Sequence, residues 1–169
     1  IVKKAKEMNI VEIPFDKVNV EIIQKEKAKL NNDPPKNQLL DIYRLYEGKK
    51  LEKALLKSQE LIQKFPGSAK LFNIHGKICE SLGNLNTAIH NYKKAIQIAP
   101  SYAVAYNSLG SAQKARGNID LAISSYTAAI EISPNYVEAL NNLGNSLFLK
   151  GDQRSIEAAL DHYKKVITL

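Results

Sequence analysis

Few residues in this chain could carry covalent, acid/base or metal chemistry. There is one cysteine, Cys79, and the three histidines are His75, His90 and His162. A lone cysteine makes no intramolecular disulfide, and three scattered histidines without a cysteine cluster do not build the usual zinc site. His75 falls on the apolar stripe of a helical pattern and reads as a packing residue with one ring nitrogen bonded to a neighbour, while His90 and His162 fall on outer faces. Cys79 occupies a core column and reads as an inert buried thiol. The glycines never cluster into a phosphate loop between a strand and a helix. No catalytic residue, cofactor or metal is therefore expected. The chemistry left is hydrogen bonding by amides, because Asn73, Asn107 and Asn141 recur at one constant interval. An asparagine side chain both donates and accepts, so such a column could pair with the N–H and C=O groups of an extended backbone whatever side chains that backbone carries.

The same interval runs through the chain. Pro66, Pro100 and Pro134 repeat at it, as do Gly76, Gly110 and Gly144, and Gly83, Gly117 and Gly151. A period of about 34 residues falls in the range that marks solenoids and other repeat arrays. Aligning 67–100 with 101–134 gives 12 identical residues of 34, among them Ala88 with Ala122, Tyr92 with Tyr126 and Ala95 with Ala129. The apolar residues of a unit follow helical spacing in two stripes, Tyr106, Leu109, Gly110 and Gln113, then Ala122, Ile123, Tyr126, Ala129 and Ile130. Each unit is therefore two helices. Between them Gly117-Asn118 can close the first helix with a left-handed glycine and cap the second with a short polar side chain, and Gly83-Asn84 and Gly151-Asp152 repeat the device. Proline ends the second helix, and Ser101 or Asn135 after it can cap the next first helix. Small residues stand where helices must approach: Gly110 is expected to meet Ala122 inside one hairpin, and Ala129 to receive the next unit.

Tyr106-x-x-Leu109-Gly110, Gly117-Asn118, Ala122, Tyr126, Ala129 and Pro134 resemble the tetratricopeptide repeat signature at its usual length. Phe72, Gly76, Gly83-Asn84, Ala88, Tyr92, Ala95 and Pro100 repeat it, with His75 where leucine is usual and Cys79 where tyrosine is common. A third copy runs from Leu140-x-x-Leu143-Gly144 to Ala159 and Tyr163, with three extra residues between Asp152 and Ala159. Three residues is close to one helical turn of ~3.6, which predicts either a longer turn or a second helix that starts early. An upstream copy, Leu39 to Pro66, keeps Gly48, Ala54 and Pro66 without the clean first-helix pattern, as a terminal cap would. The resemblance implies an all-α fold, a right-handed alpha-alpha superhelix of helical hairpins. Residues 1–36 form an N-terminal extension, 37–66 a degenerate leading hairpin, and 67–100, 101–134 and 135–169 three repeats.

Stacked hairpins of this kind bury a continuous core only against neighbours and wind so that the first helices line a concave groove, a surface that binds chains and not small metabolites. First-helix positions outside the core are read as the site. One column is Asn73, Asn107 and Asn141; the next, about one turn on, is Lys77, Ser111 and Asn145; the preceding turn gives Lys70, Val104 and Glu138, and Asn142 lies beside Asn141. The asparagine column is expected to hold the partner's main chain, and Lys70, Lys77, Ser111, Glu138 and Asn145 to select side chains. On this reading Asn107→Ala with Asn141→Ala weakens partner binding with little effect on thermal stability. Chaperone-binding members of the family clamp a C-terminal carboxylate with Lys and Arg from successive first helices. Here Lys70 and Lys77 are followed by Val104 and Ser111, then Glu138 and Asn145, so the resemblance disfavours a chaperone-tail adaptor. The asparagine-rich first helices resemble more closely the arrays that precede catalytic domains in glycosyltransferases and some bacterial repeat-bearing enzymes. Three roles are expected from this: a non-enzymatic protein-interaction module binding an extended peptide, the substrate-recruiting arm of a larger glycosyl- or sulfotransferase, or a scaffold self-assembling through the open face of Leu160, Tyr163 and Ile167.

Composition narrows the partners. The chain has 169 residues, 44% hydrophobic, enough for a sizeable core, and 24 Lys+Arg against 17 Asp+Glu give a net charge of +7. Residues 1–36 carry +2, 37–66 carry +2, 67–100 carry +3 and 101–169 sum to zero, a gradient that would orient an acidic-ended peptide along the groove. Nucleic-acid binding needs a basic stripe with interleaved aromatics, and Lys93-Lys94 and Lys164-Lys165 fall instead on outward-facing second helices, so no nucleic acid is expected. The longest apolar runs are far below the roughly 18 residues of a membrane span, and Ile1-Val2-Lys3-Lys4 lacks a signal-peptide core, so no membrane is expected and the protein reads as cytoplasmic. The chain starts without Met and reads as part of something longer. Residues 1–36 alternate apolar and polar over Ile10–Phe15 and Val18–Ile22, continue into a helix-compatible Gln24–Leu30 and break at Asn31–Pro35. Three fates are open to this head: a cap on the first hairpin, disorder, or a place in a groove.

Overall fold

A helical hairpin closes only as tightly as the side chains between its helices allow, and in this protein one position in each repeat carries no side chain. The computed structural model describes residues 33–168, which form eight helices and, among the described residues, no strand. They pair in sequence: α1 (Lys36–Glu47) with α2 (Leu51–Lys64), α3 (Ala69–Ser81) with α4 (Leu85–Ile98), α5 (Ala103–Ala115) with α6 (Ile119–Ile132), and α7 (Val137–Lys150) with α8 (Gln153–Ile167). Each helix packs on the next, and the first helices also touch one another, α1 on α3, α3 on α5 and α5 on α7. This is an all-α solenoid. The alternating segments and the helix-compatible stretch before Asn32 lie outside the described residues.

Gly76 of α3 faces Tyr92 of α4, Gly110 of α5 faces Tyr126 of α6, and Gly144 of α7 faces Tyr163 of α8. A Cβ on these glycines would lie 2.5, 2.6 and 2.8 Å from the respective ring Cε1, inside any normal carbon contact. The ring of Tyr126 takes the space that Gly110 leaves, and Ala122 is buried in the same hairpin core. Tyr92 and Tyr126 are wholly buried, together with Ala88, Ala95, Ala122 and Ala129. Cores join across hairpins, since Cys79, Ala88 and Tyr92 cluster with Leu109 and Ala112, and Ala122 and Tyr126 with Leu143. Burial pushes the Cys79 thiol up, which keeps it protonated.

The turns are built on backbone bonds. Gly83 (φ 82°) and Gly117 (φ 81°) take the left-handed conformation, and the next residue's N–H reaches back into the helix, Asn84 to Cys79 O at 2.8 Å and Asn118 to Gln113 O at 3.0 Å. The side chains of Asn84 and Asn118 do not cap α4 and α6, contrary to the sequence expectation. Their ψ values of 64° and 68° fall short of the extended geometry a capping side chain needs. Ser101 and Asn135 do not cap either, since the cap positions of α5 and α7 belong to Tyr102 and Tyr136. Side-chain caps do form at Ser68, which is extended and accepts from Leu71 N at 3.2 Å, and at Asp152, which accepts from Ser155 N at 2.9 Å.

Two irregular repeats follow the same logic. In the leading hairpin, Gly48 has an ordinary φ of −74°, and the left-handed residue is Lys49 at φ 57°. Lys49 stands one repeat period before Gly83, and the turn bonds recur around it, Lys50 N to Leu45 O at 2.9 Å. In the last hairpin, α8 starts two residues after Gly151, as α4 starts two after Gly83, so the three extra residues enter the helix and not the turn. They advance it by about 300°, nearly a full turn, which leaves Ala159 buried and Tyr163 on Gly144.

His75, 7% exposed, sits between α3 and α2 with Nδ1 2.8 Å from Ser58 Oγ. Ser58 sends its own proton to Leu55 O at 2.8 Å, so the imidazole N–H donates to Ser58. Burial holds the His75 pKa below its ordinary 6.5.

Three measurements by urea unfolding test this account. Lys49→Gly relieves a left-handed lysine and is expected to raise stability by about 1 kcal/mol. Gly110→Ala drives a methyl into the Tyr126 ring and is expected to cost about 1–3 kcal/mol. Because the unfolded chain protonates His75 before the folded one does, stability should fall as pH drops below about 6.5, and His75→Leu should flatten that part of the profile.

Candidate functional site

The faces of α1, α3, α5 and α7 that point away from the second helices share a cleft of about 280 Å³. Tyr46 comes from α1, Lys77, Glu80 and Ser81 from α3, Asn107, Ser108 and Ser111 from α5, and Glu138 from α7. Within α3 and α5 these residues are spaced at i, i+3 and i+4, or adjoin that stripe, which is why single helices can present several of them together.

The glycine contacts set the polar groups of this face. Each second-helix tyrosine passes over its glycine and ends its phenol on the first helix: Tyr92 donates to Glu80 Oε2 at 2.6 Å, Tyr126 to Ser111 Oγ at 3.2 Å, and Tyr163 to Asn145 Oδ1 at 2.7 Å. Tyr46 and Ser81 share a hydrogen bond of 3.1 Å across α1 and α3. Burial pushes the Tyr126 phenol up, and the Glu80 and Glu138 carboxylates add to the shift against the Ser111 bond. Tyr136 is pushed up to about 12, by burial first and then by Glu138. These phenols therefore remain neutral donors at physiological pH.

Of the residues expected to form the site, Lys77, Asn107, Ser111 and Glu138 meet in the cleft. Asn107, 3% exposed, is already bonded on both sides of its amide. Its Nδ2 donates to Glu138 Oε1 at 2.9 Å and to Tyr136 Oη at 3.4 Å, and its Oδ1 accepts from Asn142 Nδ2 at 3.0 Å. Asn73 is buried and its Oδ1 has no partner among the described residues. Asn141 is half-buried and does not line the cleft, and Asn145 is exposed on the following hairpin. Lys70 is tied to Asp33 Oδ2 at 2.6 Å, away from the cleft, whereas Lys77 makes no ion pair among the described residues. The +3 of residues 67–100 is thus not displayed here: Lys93 and Lys94 are exposed on α4, and the cleft holds one lysine between two glutamates.

Tyr46, Glu80, Ser81 and Ser108 belong to the cleft and were not anticipated. Glu80 and Ser81 lie three and four residues after Lys77, a spacing that would have found them. Tyr46 sits in the leading hairpin, whose pattern is too degenerate to phase. At the other end of the solenoid Phe148, Leu149, Leu160 and Ile167 are exposed, while Tyr163 is half-buried over Gly144 and does not join them. Among the described residues no three His, Cys, Asp or Glu side chains gather as metal ligands, and no helix is long and apolar enough to cross a membrane.

The comparisons with known proteins agree with this architecture. Residues 76–115 and 114–151 match the family model described as TPR repeat. The crystal structure of MamA superposes with a TM-score of 0.70 at 23% identity, covering 85% of this chain and 82% of that one. MamA 41-end from Desulfovibrio magneticus RS-1 gives 0.68 at 19% identity, over 82% of this chain and 76% of that one. The first TPR of Spaghetti (RPAP3), bound to HSP90 peptide SRMEEVD, gives 0.65 at 19% identity, over 72% of this chain and 99% of that one. No curated protein matches the sequence.

The network around Asn107 changes one expectation. Asn107→Ala leaves Asn142 Nδ2 without its acceptor and removes a donor from Glu138 and Tyr136, which keep their bond to each other, so it should cost about 0.5–1.5 kcal/mol of stability in chemical denaturation. Asn141→Ala, which breaks no hydrogen bond among the described residues, should cost far less.

Proposed function

Since residues 76–151 of this all-α solenoid are tetratricopeptide repeats, we infer that the chain is a protein-interaction module that takes an extended peptide along the face of its first helices. The observation that carries this is the cleft itself, a polar surface contributed in succession by α1, α3, α5 and α7. A binding surface assembled from four parallel elements suits a linear ligand, whose successive residues meet successive helices. That one structural neighbour is bound to a peptide supports the same mode.

The roles divide by what each side chain still has to offer. Lys77 has no carboxylate partner among the described residues, so an acidic residue of the peptide would meet it, and the two glutamates beside it penalise a second acidic residue. Asn107 keeps one lone pair on Oδ1 and could take a main-chain N–H without giving up a bond. Ser111 accepts from Tyr126 and has its own proton to donate. Asn141 and Asn145 would prolong the track along α7, and Lys70 is available only to a ligand that displaces Asp33.

A second reading, self-association, has its own observation in the exposed Phe148, Leu149, Leu160 and Ile167 of the last hairpin. Light scattering that reports one chain at every concentration would sink it.

Panning phage-displayed random dodecapeptides on the chain tests the main reading. The enriched peptides should lose affinity about tenfold, 1.4 kcal/mol, on Lys77→Ala or Ser111→Ala and keep it on Lys93→Ala, whose lysine is exposed on α4. Enrichment that depends on Lys93 and ignores Lys77 would place the surface elsewhere.

A further inference from the structure

Leu55, Ile89 and Ile123 stand one repeat apart on the second helices, as do Ile62, Ile96 and Ile130. Each is packed into a core to which the next first helix contributes, through Leu71 and Ile78 of α3, Leu109 and Ala112 of α5, or Leu143 of α7. Once the three extra residues of the last hairpin are counted, Leu160 and Ile167 hold the same two positions on α8. They are 53% and 84% exposed. The trailing side of α8 therefore displays the aliphatic pair on which every earlier hairpin seats a helix, and the hydrophobic gain made at three junctions is left unmade at this one.

The leading end of the solenoid is a poor occupant for that seat. At the positions that Leu109 and Ala112 take in α5, α1 carries Asp41 and Arg44, exposed and paired at 3.4 Å. Seating α1 of one copy on α8 of another strips water from this ion pair against aliphatic side chains, a cost that its attraction does not repay. Leu40 beside it adds one aliphatic side chain to a charged surface. A second α8 fits better. Residues seven apart lie two turns along one stripe, and a two-fold axis midway between them exchanges the pair, so Leu160 of each copy meets Ile167 of the other. Asp161 and Lys164, an exposed ion pair at 3.4 Å, fall between these positions, and the same axis turns each Lys164 toward Asp161 of the other copy.

We propose that two copies of this chain pair tail to tail, α8 antiparallel to α8, with Leu160 and Ile167 as the buried contact and Asp161 and Lys164 as reciprocal charges. Such a contact uses the same face of both copies and closes at two, whereas a head-to-tail contact would grow into an open filament. The proposal rests on the self-association reading and adds the face of the second copy and the number of copies.

Sedimentation of the chain over a wide concentration range tests it. Two chains per particle are expected at high concentration. Leu160→Glu with Ile167→Glu should leave single chains at every concentration and the helical circular dichroism unchanged, because both side chains are exposed. Arg44→Glu at the head should leave the pair intact. Leu160→Cys with Ile167→Cys should oxidise to a covalent pair, and either cysteine alone should do so far more slowly. Single chains throughout overturn both this proposal and the self-association reading. Particles that keep growing with concentration, a pair that survives the double glutamate variant, or a pair lost on Arg44→Glu each overturn the tail-to-tail contact and leave self-association standing.

Discussion

Everything on the inner face hangs from a contact where no side-chain carbon fits. At Gly76, Gly110 and Gly144 the tyrosine of the partner helix lies so close that a Cβ would overlap its ring. The contact does two things at once. It fixes the separation of the two helices in each hairpin, and it lets a ring, fully buried at Tyr92 and Tyr126 and half-buried at Tyr163, bring its hydroxyl to the first helix. The phenols of Tyr92, Tyr126 and Tyr163 then hold Glu80, Ser111 and Asn145. A smaller aromatic-free core could bury comparable apolar area, but it would not deliver a hydrogen-bond donor to the face where ligands would lie.

Local geometry, and not net charge, decides what that face displays. A hairpin with a surplus of three positive charges contributes one lysine and one glutamate to the cleft, because Lys93 and Lys94 lie exposed on the second helix and Lys70 is paired with Asp33. The α3–α5 and α5–α7 junctions diverge just as sharply: Ser108 stands one repeat before Asn142, the bond from Asn142 to Asn107 has no counterpart there, and Ser108 Oγ is buried without a partner among the described residues.

The fold was largely legible in the sequence. Proline, glycine and alanine spacing announced the hairpins, because those residues answer to backbone constraints that recur identically. The caps were misread at Asn84 and Asn118, where the residue type is right and the backbone dihedral is wrong for a side-chain bond. The tyrosine ring over Gly110 was not foreseen, since spacing tells which residues face inward but not which of them fills a given gap. The site was less legible. Lys77, Ser111 and Glu138, expected from position, line one cleft, but whether an amide such as Asn107 is available depends on Tyr136, Glu138 and Asn142, residues of the following repeat whose side chains only the packed structure brings to it.

The three residues added to α8 show where this architecture is elastic. Starting a second helix three residues earlier relative to its buried alanine leaves the glycine contact, the buried alanine and the phenolic bond of the last hairpin in place. The repeat is therefore metered by its first helix and its turn, while the outer helix can gain or lose whole turns as a free parameter. Length variation confined to outer helices, in steps of a single helical turn, would change the silhouette of the solenoid and leave its inner surface in register.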